Sequence, residues 1–327
     1  MNVSPETMRL LTLSMIKGIG SQTLRRVSTV PAFHSMSVDA LAPFISTTEQ
    51  PLTQALWNEA TDAANDQLEK ADKHQVAILS PFDSKYPALL HHSHDHPGLI
   101  WVRGKLAATP EKSIAVIGTR NPTGHGRIVT QRLTEFLVTE GWSIVSGLAL
   151  GCDATAHEAA LDADGHTVAV LAHGLHMTSP SKHQMLADRI IEQGGSLVSE
   201  YPFGQAPASQ MFVKRDRTQA GLSKAVVMIQ SSLKGGSLHA ARAALSYGRW
   251  LATPYPTKKD LLINDPHIQA NLLCANGDAQ QKRDLLRCQP DSLKNIIVLK
   301  SKADYHPMLD RISANNDEQP TQHTPLL

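Results

Sequence analysis

This sequence has few cysteines, no long apolar run and almost no net charge. Its three cysteines, Cys152, Cys274 and Cys288, are too widely spaced to indicate a disulfide framework or a zinc site. No run of about 18 apolar residues occurs, so we expect no membrane-spanning helix and no membrane association. Residues 1–6 lack the basic stretch and apolar run of a signal peptide, and we therefore expect a cytoplasmic protein.

The charges nearly cancel, because 31 lysines and arginines stand against 30 aspartates and glutamates, for a net charge of +1. A nucleic-acid binder needs only a local basic patch, so this total neither supports nor excludes nucleic acid as a ligand. Apolar residues make up 41% of the 327 residues, which indicates an ordinary globular protein of two or three modules.

Histidine is the residue type present in excess. Residues 91–96 contain four of the 16 histidines, a density that suggests a metal site. Neither cysteine pairs nor a His-Glu-x-x-His helix accompany them. A solvated loop before Pro97 is therefore the interpretation we favour, and we predict no metal and no cofactor.

Residues 1–75 are predicted to form a small helical N-terminal module. An apolar cluster between Leu10 and Ile16 is followed by glycines at positions 18 and 20 and then by a second short helical pattern. A Gly-x-Gly turn between two helices is typical of a helix-hairpin-helix or SAM-like module, which can offer backbone N–H groups to a phosphate. The same turn also joins helices in purely structural modules, so both interpretations stay open.

The remainder divides into a connector, a regular αβ region and an extension. Residues 76–110 are predicted to be a connector with two strand-like segments, and residues 111–256 alternate short apolar strands with helical patterns. Short strands buried on both faces and joined by helices indicate an α/β fold with a Rossmann-like, doubly wound, mostly parallel sheet. The strands of that region are predicted at residues 114–117, 143–145, 168–171, 196–198, 226–229 and 250–252.

The alternation ends after Pro256. Residues 257–313 are predicted to be a C-terminal extension packed on or beside the sheet, with one further strand at 296–299. Residues 314–327 are rich in polar residues and are predicted to form a disordered tail.

The loops after the strands are where a ligand is expected, because ligands of doubly wound sheets bind beyond the carboxyl ends of the strands. Gly118, Thr119 and Arg120 follow the first strand of the αβ region. Their loop lacks the Gly-x-Gly-x-x-Gly fingerprint of dinucleotide sites, and no Gly-Lys-Ser/Thr phosphate loop occurs. We predict that it holds one phosphate, with Arg120 as a bidentate donor.

Ser146 and Gly147 open the loop after the second strand. Gly147 and Gly151 allow another backbone to approach closely. Asp153 is predicted to cap the helix that follows, and His157, four residues later on the same face, to pair with it. A general-base role for this pair is the alternative, but we favour the structural role.

Residues 209–224 form a cationic segment after the fourth strand, with four basic residues and one acidic residue. Cations beside an aromatic ring suit a single nucleic-acid strand, the alternative being a solvated helix face. Gly236 and Ser237 open a helix after the fifth strand, and their N–H and hydroxyl groups are predicted to form a second phosphate cradle. The residues of the cationic segment that carry this prediction are Phe212, Lys214, Arg215 and Arg217.

Taken in order, several of these motifs resemble those of the DNA-processing protein A (Smf) family. The resemblance covers roughly residues 80–255 and implies a dimerising single-stranded-DNA-binding protein that helps to load a RecA-type recombinase. It implies no enzymatic turnover. The motifs are residues 117–120, 146–157, 165–171, 199–202, 212–217, 236–238 and 248–249.

We predict one set of nucleic-acid contacts from two arguments: the residues lie in loops after the strands, and they belong to segments that resemble the family. Two departures from the family pattern bear on it: Lys182 lies in a segment where the family has Tyr-Pro and then Asn, and Asp216 stands where it has Asn. Asp216 would repel phosphate unless it pairs with a neighbouring arginine. The predicted contacts are Gly118, Thr119, Arg120, Ser146, Gly147, Lys182, Phe212, Lys214, Arg215, Arg217, Gly236 and Ser237.

Two other functions stay open. A regulatory protein resembling the antitoxins of toxin–antitoxin defence pairs would have a toxin protein as its partner. An enzyme resembling the cytokinin-activating phosphoribohydrolases would cleave nucleoside monophosphates, but the glycine loop at residues 234–239 has no carboxylate in reach along the sequence. We predict a binding protein and not an enzyme.

Overall fold

The computed structural model describes residues 3–45 and 51–314. Its α-helices are Pro5–Ser14 (α1), Ser21–Ser28 (α2), Val38–Leu41 (α3), Gln54–Lys73 (α4), Ala88–His91 (α5), Gly124–Thr139 (α6), Cys152–Asp162 (α7), Gln184–Glu192 (α8), Ser209–Gly221 (α9), Leu238–Ser246 (α10), Lys258–Leu262 (α11), Gln269–Asn276 (α12), Ala279–Leu286 (α13) and Tyr305–Ala314 (α14). Its strands are Val76–Leu79 (β1), Ile100–Gly104 (β2), Ser113–Ile117 (β3), Ser143–Ser146 (β4), Thr167–Leu171 (β5), Ser196–Ser199 (β6), Ala225–Met228 (β7), Trp250–Pro254 (β8) and Ile296–Leu299 (β9).

The nine strands found in the described residues form one sheet, in the order β1-β2-β6-β5-β4-β3-β7-β8-β9. Strands β3 to β9 run parallel to one another, whereas β1 and β2 pair antiparallel with each other, and β2 pairs antiparallel with β6. The predicted α/β fold with a mostly parallel sheet is therefore confirmed. Both strand-like segments of the predicted connector lie in this same sheet, at its edge.

Buried side chains on both faces of the strands explain why the helices wind on both sides. Ile114 and Val116 of β3 pack in one core with α6, while Ala115 and Ile117 point to the opposite face and pack with α10. Alternate residues of a strand point to opposite faces, so a strand covered on both sides must be apolar throughout. The short, continuously apolar strands of the sequence follow from this burial.

The N-terminal helices form a module that packs beside β1 and β2. Leu10 and Leu13 of α1 share a core with Ile78 and Trp101 of these two strands. The predicted Gly-x-Gly turn lies between α1 and α2, and Gly18 adopts a φ of +89°, which favours glycine. A phosphate-binding role for this turn stays a prediction.

Residues 257–314 pack onto the sheet. Strand β9 pairs in parallel with β8, and α14 joins the core beneath α6. Asn271 of α12 is fully buried and donates to the carbonyl of Ile229 and the hydroxyl of Thr253, each at 2.7 Å. The predicted tail, apart from Ala314 at the end of α14, lies outside the described residues.

The histidine-rich segment bridges the N-terminal helices and the sheet domain. Arg25 of α2 donates to the carbonyls of Asp95 and His96 at 2.9 and 2.7 Å, and the His94 ring contacts Tyr247 of the sheet domain. Within residues 3–45 and 51–314, no group of three or more histidines, cysteines or carboxylates is arranged to hold a metal ion. Across the same residues, every helix is too short or too polar to cross a bilayer.

Candidate nucleic-acid interface

A cleft opens where the order of the strands reverses, between β3 and β7. Successive strands run from β3 through β4, β5 and β6 on one side, whereas β7, β8 and β9 lie on the other. Helices following the two central strands therefore depart in opposite directions, which leaves a crevice at the carboxyl ends. This switch-point cleft encloses about 380 Å³ and is lined by the loops after β3 and β7 together with α9.

The loop after β3 forms one wall and is held by backbone contacts. Thr119 donates its N–H to the carbonyl of Gln230 at 2.8 Å, and the Gln230 side chain exchanges two hydrogen bonds of 3.0 Å with Thr123. A Cβ on Gly118 would lie 2.5 Å from the sulfur of Cys152, so only glycine fits there. The loop is thus fixed in place while the Arg120 side chain extends into solvent.

The loop after β7 forms the opposite wall and presents a helix N-terminus. Ser237 is the N-cap of α10, but its side chain makes no capping hydrogen bond, and its buried hydroxyl oxygen has no partner among the described residues. Gly236 beside it is exposed. Leu238 and His239 donate their N–H groups to the carbonyls of Gly235 and Gly236 at 3.2 and 2.9 Å. The helix therefore offers this wall the positive end of its dipole and the unpaired Ser237 hydroxyl, both of which suit an anion.

Phe212 of α9 brings an aromatic ring close to two cations. The Arg120 guanidinium lies 5.5 Å from the ring centroid and that of Arg215 lies 6.0 Å from it. These distances fall within the range of cation–π attraction. The exposed cation, the ring and the helix N-terminus therefore meet in the switch-point cleft. The predicted contacts that line this cleft are Gly118, Thr119, Arg120, Phe212, Arg215, Gly236 and Ser237.

The prediction that Arg215 contacts phosphate is wrong. Its side chain is only 5% exposed and lies between two carboxylates, 3.5 Å from Asp153 and 3.3 Å from Asp216. Burial raises the pKa of Asp153 despite the nearby guanidinium. Burial likewise raises the pKa of Asp216 to about 7, with Arg215 opposing the shift. The charge of Arg215 is already neutralised within the protein, so this residue organises the floor of the cleft.

Ser146 and Gly147 are also corrected. The Ser146 hydroxyl is fully buried and donates to the carbonyl of Val116 at 2.7 Å, so it is not accessible to a nucleic acid. Gly147 is buried beneath Arg215, and a Cβ there would overlap the guanidinium. The predicted approach of another backbone at Gly147 is wrong, because the group that lies against this glycine is the side chain of Arg215.

The predicted helix cap is wrong in its details. Helix α7 begins at Cys152, with Gly151 as its N-cap at a φ of +77°, so Asp153 is the second residue of the helix. Its carboxylate pairs with Arg215. The fully buried His157 forms a 2.7 Å hydrogen bond between its Nδ1 and the hydroxyl of Thr167, and burial lowers its pKa to about 3. A neutral, buried histidine has a structural role here.

Arg217 lies outside the switch-point cleft, which corrects another prediction. Its guanidinium pairs with Glu200 at 2.9 Å and with Asp95 at 3.3 Å, and the Tyr247 hydroxyl donates to Asp95 as well. These partners stand far apart in sequence. The cluster connects α9 to the histidine-rich segment. Lys214, three residues before Arg217, is exposed but does not line the cleft.

A second cleft of about 270 Å³ continues from Arg120 on the other side of its loop. Three cations from the described part of the chain line it, Arg120, Arg127 and Lys182, together with one carboxylate, that of Glu158. Lys182 is exposed, as a phosphate contact requires. The two clefts share Arg120, so a cationic path leads from Lys182 to the Phe212 ring.

Sequence reasoning missed three residues of the two clefts. Arg127 lies in the first turn of α6, one turn beyond the N-cap Thr123, and this position after β3 was the available signal. His239 and His267 line the switch-point cleft, and His267 comes from the C-terminal extension. The path of the extension across the sheet could not be read from the sequence, which is why that histidine was not anticipated.

Asp216 also lines the switch-point cleft, opposite the glycine loop that contains Gly236. The expectation that this loop has no carboxylate in reach considered only residues adjacent in sequence. Folding brings α9 to the loop and supplies one. The carboxylate pairs with Arg215, one of the two arrangements under which repulsion of phosphate was predicted to be reduced.

Comparison with known proteins gives a consistent result. The sequence model of the family described as DNA recombination-mediator protein A matches residues 77–280, more than half of the chain. Protein Smf of Escherichia coli is 42% identical over 182 residues, covering 56% of this chain and 48% of that protein. DNA processing protein DprA of Bacillus subtilis is 37% identical over 171 residues, covering 52% and 57%. The chain thus matches about half the length of these relatives.

Solved structures agree at the level of the fold. The X-ray structure of DNA processing protein A from Streptococcus pneumoniae has a TM-score of 0.69 with 24% identity, covering 94% of this chain and 98% of that one. DNA processing protein A from Helicobacter pylori, described as having a unique single-stranded DNA binding mode, has a TM-score of 0.53 with 28% identity. That match covers 64% of this chain and 94% of that one.

Proposed function

The chain belongs to the DNA recombination-mediator protein A family, and we propose that it binds single-stranded DNA in the switch-point cleft. The observation that carries this proposal is the meeting of three features around one crevice. Arg120 is exposed, Phe212 offers a ring, and the α10 N-terminus offers its positive dipole end and the unpartnered Ser237 hydroxyl beside Gly236. A single strand has exposed phosphates and exposed base faces, and these features match both.

The cationic second cleft gives the strand a continuous path. Arg127 and Lys182 extend the positive charge beyond Arg120, so successive phosphates have partners on both sides of the loop after β3. The Helicobacter pylori relative, whose printed description names a single-stranded DNA binding mode, supports the choice of ligand. A duplex keeps its bases stacked inside and would leave Phe212 without a partner.

Fluorescence anisotropy of a labelled single-stranded oligonucleotide, titrated at several salt concentrations beside a duplex, tests the proposal. We expect strand-selective binding that weakens as salt rises, because phosphate contacts release counterions. Arg120→Ala should weaken binding and flatten the plot of log affinity against log salt by about 0.7. Arg132→Ala removes an exposed arginine in the middle of α6, away from both clefts, and serves as the matched control.

Absence of binding at low salt would contradict the proposal. An Arg120→Ala variant with the same slope as the Arg132→Ala control would remove Arg120 from the interface and place the DNA elsewhere.

We further infer that the DNA-bound protein acts as a homodimer and assists a RecA-type recombinase. The family description as a recombination mediator supports the recombinase, and Leu262 and Ile263 support a protein contact. Their side chains are 87% and 61% exposed at the end of α11, and adjacent exposed apolar residues are typical of interaction sites. Light scattering should give twice the monomer mass, and Ile263→Asp should reduce it; a monomer at micromolar concentration would contradict the dimer.

Binding without turnover is also part of the proposal. The nucleotide-cleaving alternative gains one observation, because Asp216 shares the cleft with the glycine loop at Gly236. Chromatography of nucleoside monophosphates after incubation with the protein distinguishes the two. Release of a free base that disappears in Asp216→Asn would establish an enzyme and overturn this inference, whereas unchanged nucleotides support binding alone.

A further inference from the structure

Asp216 and Phe212 lie on the same face of α9, one helical turn apart, and both line the switch-point cleft. The Asp216 side chain is 14% exposed, and one of its oxygens, Oδ1, faces Nε of Arg215 at 3.3 Å. The described residues show no hydrogen bond or ion pair to the other oxygen, Oδ2. A carboxylate with a free acceptor therefore stands beside an aromatic ring.

An anionic residue is unexpected in a cleft for phosphates, and Arg215 only partly offsets it. The lining of the cleft sets the carboxyl groups of Asp153 and Asp216 against the guanidinium groups of Arg120 and Arg215. A site evolved only for the backbone of DNA would gain from an uncharged residue here. The carboxylate has a use if the group that it meets is a base.

The edges of the bases differ in what they offer to a carboxylate. Cytosine presents an exocyclic amine, which carboxylates accept from, whereas thymine presents a carbonyl oxygen at the corresponding position. A base stacked on the Phe212 ring exposes its edge sideways, toward the groups that neighbour the ring on α9. Two oxygen acceptors facing each other repel, so the same carboxylate that favours cytosine disfavours thymine.

We propose that the switch-point cleft reads base identity: Phe212 stacks one nucleobase, and Asp216 accepts a hydrogen bond from its exocyclic amine, so that cytosine is preferred over thymine. This inference rests on the proposed function, since it assigns a preference within the same site. The ligand class is a single strand whose bases carry exocyclic amines. A surface that contacts phosphates alone would not distinguish two pyrimidine homopolymers.

The test compares the dissociation constants of two labelled 20-nucleotide strands, oligo-dC and oligo-dT, at pH 8.5 and fixed salt. Both are pyrimidine strands of equal charge, so their difference reports on the bases. The pH lies above the pKa of Asp216, about 7, and keeps the carboxylate ionised. One net hydrogen bond corresponds to about a threefold to tenfold tighter binding of oligo-dC.

Asp216→Asn is the decisive variant, because an amide can accept from cytosine or donate to thymine. We expect the ratio of the two dissociation constants to fall to about one, while both strands bind more tightly because a negative charge has been removed. Asp310→Asn removes an exposed carboxylate on α14 and should leave the ratio unchanged. Thermal unfolding of each variant checks that it is folded.

The outcomes separate this inference from the proposed function. Equal, salt-dependent binding of both strands by the unaltered protein overturns base recognition and leaves single-strand binding standing. Binding of neither strand overturns both. A preference for oligo-dC that persists in a folded Asp216→Asn variant overturns the assignment to Asp216. Because the first comparison needs no variant, poor folding of Asp216→Asn does not prevent a decision.

Discussion

Arg120 and Arg215 line the same cleft and contact the same aromatic ring, yet their surroundings are opposite. Arg120 stands on a loop and is exposed, whereas Arg215 is 5% exposed and is held between Asp153 and Asp216. An exposed cation costs little to fold and keeps its charge for a ligand. A buried cation must be neutralised within the protein, because an unpaired charge in the interior is expensive. Arg120 is therefore available to a ligand, whereas Arg215 holds the cleft together.

The largest expected difference between the two arginines is in stability. Arg215→Ala should reduce the free energy of unfolding by about 3–5 kcal/mol, because it leaves the buried carboxylate of Asp153 without its cation. Urea unfolding followed by circular dichroism measures the change. The double variant with Asp153→Asn should recover part of the loss, since the uncompensated charge is then absent. A loss no larger than that of Arg132→Ala would show that Arg215 carries no structural role.

A smaller loss is expected from the glycine beneath the buried arginine. Gly147→Ala places a methyl group where the Arg215 guanidinium lies, and displacing it should cost about 1–3 kcal/mol. Gly124→Ala is the matched control, because a Cβ at that helical position meets nothing within 4 Å. Thermal denaturation compares the two; equal melting temperatures would mean that the guanidinium moves aside freely.

The pH dependence of stability should sharpen the comparison further. Asp216 has a pKa of about 7 in the folded protein, well above the ordinary value of an aspartate. The folded state therefore binds the proton more tightly than the unfolded state, and this contribution to stability is lost as pH rises from about 4 through 7. Asp153, Arg215 and Arg120 face the carboxylate.

Asp216→Asn removes that contribution, so the variant should gain stability relative to the unaltered protein as pH rises from 5 to 8. Measuring the difference between the two proteins at each pH cancels groups common to both, such as His157. A difference that does not change with pH would indicate that Asp216 keeps an ordinary pKa.

The smallest effect is expected at Arg120. Arg120→Ala should change the free energy of unfolding by no more than about 0.5 kcal/mol, because an exposed loop side chain makes few packing contacts. Differential scanning calorimetry beside the Arg132→Ala control checks this. A loss comparable to that of Arg215→Ala would erase the distinction drawn between the two residues.

Most of the fold could be predicted from the sequence. Strands buried on both faces must be apolar throughout, and their alternation with helical patterns can be read directly from the residues. The edge of the sheet that carries the loops, and the exposed position of Arg120, followed from the same topology. The burial of Arg215 did not. Helix α9 is polar on most sides, so no apolar stripe indicates which face is buried.

Ion pairs between residues that are far apart in the sequence were a second feature that could not be predicted. Arg217 is neutralised partly by Asp95, which lies 122 residues earlier in the chain. The sequence around either residue gives no sign that the two side chains form an ion pair. The capping prediction failed for a subtler reason. Gly151, and not Asp153, is the N-cap of α7, so Asp153 lies inside the first turn and its carboxylate meets the Arg215 side chain of α9.

Helix α9 presents different groups on different sides, with Phe212 and Asp216 in the cleft and Arg217 in ion pairs with Asp95 and Glu200. Asp95 belongs to the segment that Arg25 of the N-terminal helices also binds. A ligand that shifts this helix must therefore act on the attachment between the two halves of the protein. Such coupling is reciprocal: a partner bound to the N-terminal helices would change the affinity for the proposed DNA ligand by the same factor by which that ligand changes the affinity for the partner.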